Sequence, residues 1–314
     1  MNKIGICFSR PFEGSDPLGH IGKKLSVYIR LLNLCQRKSW QVFVLTRKTY
    51  KGEGVFEGSW RFEENKFYRE ESFVKIDLVY DRTAGMNFPP EGDSSMAIVD
   101  QRNFKKLCYD KFLSFKKIGG LMPETFWIGD GKNLSSVLKK IKTDWVVLKP
   151  YNGLKGIGIF IGSKKEALSF KFPEKNKGYI AQEFLDTSSG IPGLIEGLHD
   201  LRVVIINRKI VWSHVRTPPK GSFKANVALG GDIKEVDCDK LPESVKKIAK
   251  RVDNLFFKEY DNPLYSMDLG FDKNGPLIFE LNDQIGFPAW EMKARDKFLN
   301  ELIKNFESKL EKRG

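Results

Sequence analysis

The chain has 314 residues, 41% of them hydrophobic, which is ample for two or three packed modules and excludes a disordered protein. Its 53 Lys and Arg against 40 Asp and Glu leave a formal charge of +13, a balance that favours anionic partners such as nucleotides or acidic peptides without selecting one. Four cysteines with no CxxC pair argue against a disulfide framework or a zinc site, and three scattered histidines offer few parts for a Ser-His-Asp hydrolase.

Residues 3–8 (KIGICF) and 41–46 (QVFVLT) are short apolar runs around a helical stretch over 23–36, and 75–80 (KIDLVY) is a third run. They predict an opening α/β module that ends near residue 100. The start, MNKIGICFSRP, reads as a strand and not as a signal core. No window approaches the ~18 apolar residues of a membrane span. A cytoplasmic protein without membrane contact is therefore the expectation.

A helix over 103–118 (NFKKLCYDKFLSFKKI) comes next, followed by strands TFWIG and WVVLKP, a glycine-bearing turn and the strand GIFIG. Beyond residue 178 the strands YIAQEFL, LRVVIIN, KIVWSHVR, YSMDLGF and LIFELN are interrupted by a helix over 243–259 and closed by an amphipathic helix over 296–312. The division is 1–102, 103–178 and 179–314. Lysines such as Lys139, Lys140, Lys246 and Lys250 fall on solvated helix faces.

Three constellations carry chemistry. The first is Lys149 at the end of an apolar strand, followed by a loop with Gly153, Gly156 and Gly158 around Lys155. Glycines let backbone N–H groups approach phosphate oxygens, although a plain hairpin turn has the same composition and the Walker spacing is absent. The second is Asp268 on one strand with Glu280 and Asn282 on the next. Side-chain alternation puts Glu280 and Asn282 on one face, and pairing brings Asp268 beside them. Oxygen ligands without histidine suit Mg²⁺, and a cross-strand hydrogen-bond network is the bland alternative. The third is Asp200-Leu201-Arg202, then Arg216, Lys224, Asn226 and the Gly230-Gly231 pair, in which guanidinium forks could hold carboxylate or phosphoryl oxygens or simply make surface salt bridges.

In this order DK (Asp110-Lys111), VVLKP with NGLKGIGI, AQEFL, HDLR, VRTPPKGSFKANVALGG, MDLGF and FELN resemble the ATP-grasp superfamily over about residues 104–295, nearest to glutathione synthetases and RimK-type amino-acid ligases. The resemblance implies a mixed α/β and α+β fold, in which a pre-ATP-grasp α/β domain precedes two lobes clamping the nucleotide. It implies that Lys111 and Lys149 contact the phosphates under the 152–158 loop. Gln182, Glu183, Phe184 and Leu185 would form the adenine hinge, with Asp186 a candidate ribose contact. Asp268, Glu280 and Asn282 resemble Mg²⁺ ligands, Arg202 and Arg216 the acyl-phosphate and carboxylate clamps, and Asn226 a γ-phosphate contact.

Three departures stand out: Lys224 where relatives usually carry arginine, the lengthened 187–198 segment, and NDQIGFPAW in place of the usual ending, with Trp290 expected to fill core. The activity implied is ATP- and Mg²⁺-dependent amide formation through an acyl phosphate, using small-molecule or peptide carboxylate and amine substrates; the positive charge permits an acidic peptide or polyglutamate acceptor without selecting one. Oligomeric state is left open. An ATP-binding homologue without ligase activity, acting as a regulatory or structural partner, is the alternative. No helix-turn-helix, RNP-type or zinc-finger motif supports a specific nucleic-acid partner.

Overall fold

A computed structural model of the protein describes residues 1–12, 14, 16–153, 156–173, 178–219 and 232–312. The apolar runs KIGICF and QVFVLT form strands β1 (Lys3–Phe8) and β2 (Gln41–Thr46), five of six residues buried in each, as befits parallel strands covered on both faces. Helix α1 (Leu25–Arg37) crosses between them and buries Val27, Tyr28, Leu31, Leu32 and Cys35 on one side. The third run is displaced: β6 spans Leu78–Arg82, because residues up to Lys75 complete a long hairpin of β4 (Val55–Glu63) and β5 (Lys66–Lys75). That hairpin turns at Glu64 and Asn65, both at positive φ, and carries neither Gly nor Pro at its tip, so nothing in the composition announces it. With β3 (Tyr50–Gly52) and β7 (Ala97–Val99) the first sheet has the order β3-β4-β2-β1-β6-β7, and β5 also pairs with β4.

The helix expected over 103–118 is two helices, α2 (Arg102–Tyr109) and α3 (Lys111–Ile118). Asp110 leaves helical geometry and its carboxylate accepts the N–H groups of Phe112 and Leu113, each at 2.9 Å. An N-cap at this point outcompetes a continuous helix. The four-stranded antiparallel sheet contains β8 (Thr125–Gly129), β9 (Trp145–Pro150), β10 (Phe160–Ser163) and β11 (Tyr179–Glu183), in the order β10-β9-β11-β8. Short helices α4 (Leu134–Leu138) and α5 (Lys164–Ala167) cover it, and Leu134, Leu138, Val146 and Leu148 share its core.

The third sheet runs β14 (Asp232–Val236), β13 (Lys209–Thr217), β12 (Asp200–Ile206), β15 (Tyr265–Asp272) and β16 (Gly275–Asn282). Alternation along β12 divides its faces. Leu201, Val203 and Ile205 pack with Phe104 of α2 and with Val252 and Phe256 of α6 (Glu243–Phe257). Val204 and Ile206 join Phe298, Leu302 and Phe306 of α7 (Arg295–Glu311) in a core shared with the first sheet. Each ring buried in these cores contributes roughly 1.5–3 kcal/mol. The same alternation leaves Asp200 and Arg202, at the open end of the strand, facing a cavity instead of a core. Among the described residues no helix is long and apolar enough to cross a membrane.

Candidate active site

A cavity of 310 Å³ separates the four-stranded sheet from the five-stranded one. The register of the larger sheet builds its floor: Arg202 lies opposite Asp268 and Asp268 opposite Glu280, one residue from each of three adjacent strands, and His214 continues the row opposite Arg202 on the next strand without lining the cavity. Asn282 follows on the face of Glu280, and its amide donates to Asp268 Oδ2 at 3.3 Å. The three candidate metal ligands therefore line one cavity, as strand alternation predicts. Among the described residues no group of three His, Cys, Asp or Glu could hold a metal ion, so the set depends on Asn282 for its third protein ligand. Three oxygen donors beside a polyphosphate-sized space are the chemistry a hard cation takes.

Arg202 grips Asp268 as a fork, Nε to Oδ1 and Nη2 to Oδ2, both at 2.6 Å, and Arg216 adds Nη2 to the same Oδ2 at 2.9 Å. Arg216 also holds Asp200 at 2.5 Å. Burial disfavours the charged form of Asp268, yet the two guanidinium groups outweigh it and hold its carboxyl well below the usual range. For Asp200 burial and the neighbouring Asp268 charge win over Arg216, and its pKa is pushed up to about 6. The two carboxylates thus share two arginines unequally. His214, its ring tilted against Trp212 at 4.3 Å, is driven down to about 3 by burial and by Arg202 and Arg216, so it is neutral at physiological pH.

The opposite wall comes from the smaller sheet and α3. Lys149 leaves β9 and is 6% exposed; its Nζ donates to Gln182 Oε1 at 2.9 Å and to the Phe279 carbonyl, across the cavity, at 3.3 Å. Gln182 is itself oriented by donating to Thr125 Oγ1 at 2.8 Å. Burial lowers the Lys149 pKa to about 8, with Glu280 opposing and Lys111 adding to the fall. Lys111, placed by the Asp110 cap at the first position of α3, donates to the Gly153 carbonyl at 2.7 Å and pairs with Glu280 at 2.9 Å. Both lysines thus span from one wall to the other. Gly153 and Gly156 line the space, and Gly158 sits just behind it at φ +75°, where Tyr179 donates to its carbonyl at 3.1 Å. Lys155 and Asn226, with Lys224 and the Gly230-Gly231 pair, lie outside the described residues.

Val147, Ile159, Ile161, Leu185 and Phe279 form an apolar slot suited to a planar base, next to the backbone of Gln182 to Leu185. Strand β11 ends at Glu183, whose carboxylate accepts the Lys142 N–H, and Phe184 N donates to Thr143. Asp186 is exposed and caps its own turn by accepting the Ser188 N–H, outside the cavity lining. Arg216 is buried between Asp200 and Asp268 and likewise does not line the cavity. Trp290 is 44% exposed and stacks under Arg295 instead of filling core. Thr187 and His199, from the lengthened segment and its end, line the cavity without having been singled out, and the pairing of Asp200 with Arg216 was legible only once the strands were in register.

An antiparallel lobe and a larger sheet that close on a cavity with lysines on one side and carboxylates on the other define an ATP-grasp architecture. The RimK-like ATP-grasp domain model matches residues 105–305, and the chain belongs to that family. It is similar to a Vibrio parahaemolyticus protein named "Probable alpha-L-glutamate ligase", 26% identical over 217 residues that cover 68% of this chain and 65% of that one. It is also similar to human N-acetylaspartylglutamate synthase A, 27% identical over 192 residues, 59% of this chain and 45% of the relative. The chain therefore spans just under two thirds of the length of the first and less than half of the second. D-alanine–D-alanine ligase from Bacillus anthracis, solved with ATP, has the same fold with a TM-score of 0.64 at 13% identity, covering 100% of both chains.

Proposed function

We propose that the protein is an ATP-dependent carboxylate–amine ligase that works through an acyl phosphate, with an acidic amino acid as one substrate. The observation that carries this reading is the pair of buried lysines facing the Arg202–Asp268–Glu280 row across a cavity with an apolar slot at one end. A nucleotide base fits the slot, and phosphates would replace the carbonyl and amide acceptors that Lys149 and Lys111 now use. Both relatives' names carry glutamate, which supports the substrate class. The three-part division at residues 102 and 178 goes with this reading.

In the first step a substrate carboxylate oxygen attacks the γ-phosphorus, the bond to the β–γ bridging oxygen breaks, and ADP leaves. In the second an amine nitrogen attacks the acyl carbon, phosphate departs, and the amine proton passes to solvent. Lys149 and Lys111 would offset charge on the transferring phosphoryl group, and Arg202 would face the acyl-phosphate oxygens, with Arg216 behind it holding Asp200 and Asp268 in place. Asp268, Glu280 and Asn282 are the residues that would hold Mg²⁺, which supplies charge neutralisation at the phosphate oxygens when bound. The 152–158 segment, with Asn226, would exclude water from the acyl phosphate. No side-chain nucleophile is needed.

The test is a screen of carboxylate and amine pairs, glutamate among the amines, for ATP-dependent phosphate release, with products read by mass spectrometry. A product that is not a condensation of the substrates with one water lost per bond formed, or none at all despite tight ATP binding, overturns the ligase reading; the latter outcome favours the ATP-binding homologue without ligase activity.

A further inference from the structure

The parallel strands of the first sheet change direction at β1: the chain passes through α1 to β2 on one side, while β6 lies on the other. In open α/β sheets the crevice beyond the carboxyl ends of strands at such a switch point is where ligands bind. Arg82 is the last residue of β6 and pairs with Phe8, the last of β1. Its guanidinium lies over the rings of Tyr80 and Phe287, at 5.2 and 5.5 Å, and among the described residues donates to two phenol oxygens alone, Tyr28 at 3.2 Å and Tyr80 at 3.1 Å. Among the described residues no carboxylate stands within ion-pair distance of it.

Lys24, from the β1–α1 connection, meets the same place. Its Nζ donates to the Phe287 carbonyl at 2.6 Å, and it too has no ion-pair partner among the described residues. Half-burial lowers its pKa, with only the more distant Glu291 opposing. Phe287 stacks on Tyr28 at 4.4 Å, so the two cations flank one aromatic stack. The segment that carries Phe287 begins directly after Asn282, and Gln284 within it donates to the Asp81 carbonyl at 3.2 Å. Asn282 lines the active-site cavity and Gln284 reaches β6, so this segment links the end of β6 to the carboxylate side of that cavity. Asp283 acts on Arg82, as Glu291 does on Lys24, without forming an ion pair; a guanidinium and an ammonium taken partly out of water with no carboxylate in direct contact among the described residues are costly unless an anion completes them, and a guanidinium fork suits a carboxylate.

We propose that Lys24 and Arg82 form the subsite for the spectator carboxylate of the acidic amino-acid substrate, holding it at the mouth of the reaction centre while its other end reacts. The assignment rests on the ligase reading for its role in turnover but is tested by binding alone. L-glutamate is titrated calorimetrically into the full chain saturated with Mg-ADP, in wild type, Arg82→Gln and Lys24→Met. Each variant should weaken glutamate binding about tenfold or more, in line with loss of one charge-assisted hydrogen bond, while Mg-ADP affinity stays within about twofold. One of the two monoamides, L-glutamine or L-isoglutamine, should bind the wild type about tenfold more weakly than glutamate and lose nothing further in Arg82→Gln. Thermal unfolding monitors the fold; if Arg82→Gln does not fold, Arg82→Lys, which keeps the charge and loses the fork, should show an intermediate loss. Equal glutamate affinity in wild type and both variants overturns the subsite, as does a wild type that binds glutamate and both monoamides alike or binds none of them. Glutamate binding that depends on Arg82 without any phosphate release refutes the ligase reading and leaves the subsite standing. Glutamate-dependent phosphate release with an unchanged KM in Arg82→Gln does the reverse.

Discussion

Lys149 is a buried cation that the fold tolerates poorly and that a polyphosphate would offset. Burial brings its pKa from 10.5 to about 8, a shift worth about 3 kcal/mol at ~1.4 kcal/mol per unit. Because the folded value lies below the ordinary one, protonated Lys149 weakens the fold fully below pH 8, and the weakening is relieved as pH rises from about 8 towards 10.5. Phosphates raise the value again on binding, so ATP should bind with uptake of about half a proton at pH 8, and its affinity should fall about fivefold from pH ~8 to ~9. Lys149→Met should remove both effects. It should weaken ATP by about 10- to 100-fold while stabilising the nucleotide-free protein by about 1–2 kcal/mol, the ~3 kcal/mol regained less the cost of leaving Gln182 Oε1 unpartnered. Calorimetry in two buffers of different ionisation enthalpy reads the proton count, and chemical unfolding near pH 7 reads the stability. No proton uptake between pH ~7 and ~9 in wild type, or a variant less stable than wild type, would refute this reasoning.

Asp268→Asn leaves Arg202 and Arg216 facing a neutral amide in a buried place and should cost about 3–5 kcal/mol of stability, visible as a lower Tm without nucleotide; an unchanged Tm would show that the ion pairs contribute nothing net. Since the Asp268 carboxyl lies below its usual range, its contribution is present above pH ~4 and lost as pH falls through the lowered value. Glu280→Gln removes a carboxylate that is 31% exposed and, among the described residues, ion-paired with Lys111 alone, so stability should move by less than about 1 kcal/mol while the Mg²⁺ concentration needed for phosphate release rises several-fold. An unshifted Mg²⁺ curve with full turnover would remove Glu280 from the metal set. Gly158→Ala places a Cβ at φ +75° and 2.8 Å from Tyr179 Oη, costing about 1–3 kcal/mol; ATP affinity equal to wild type would show that the loop does not close on phosphates.

How much of this was legible in the sequence depends on what each inference needed. The Asp268, Glu280 and Asn282 set was readable because strand alternation is a local rule and MDLGF and FELN are adjacent strands. The network of Asp200, Arg202, Arg216 and Asp268 was not, since it needs three strand registers at once, with β-bulges after Asp268 and Val204 shifting the count. The break at Asp110 was hidden by a sequence that keeps apolar residues on one side through both helices, and only the cap geometry distinguishes them. The β4–β5 hairpin gave no turn signal. Arg82 and Lys24 looked like two of 53 cations until the strand order put one at the end of β6 and the other beside Phe287.

The electrostatics of the site have a direction. On the larger sheet, Arg202 and Arg216 are satisfied by Asp268 and Asp200, so their charge is held in place and already neutralised. Lys149 and Lys111 are satisfied mainly by uncharged acceptors, Gln182, the Phe279 and Gly153 carbonyls, and by the single carboxylate of Glu280. An incoming polyphosphate therefore meets lysines that give up weak partners and arginines that keep strong ones. A cation shared among Glu280, Asp268 and Asn282 would compete with Lys111 for Glu280 and with the arginines for Asp268. Lys111 loses that competition most readily, because Glu280 is partly exposed and its other oxygen has no ion-pair partner among the described residues. Nucleotide and metal would then reinforce each other: the metal takes Glu280, and the lysine it releases turns to the phosphates. Binding of Mg²⁺ and ATP should be cooperative in wild type, and Lys111→Met, by removing the exchanged partner, should reduce that coupling more than it reduces Mg²⁺ affinity alone. Calorimetric titration of ATP at several Mg²⁺ concentrations measures the coupling, and a value equal in wild type and variant would mean that Lys111 does not exchange partners.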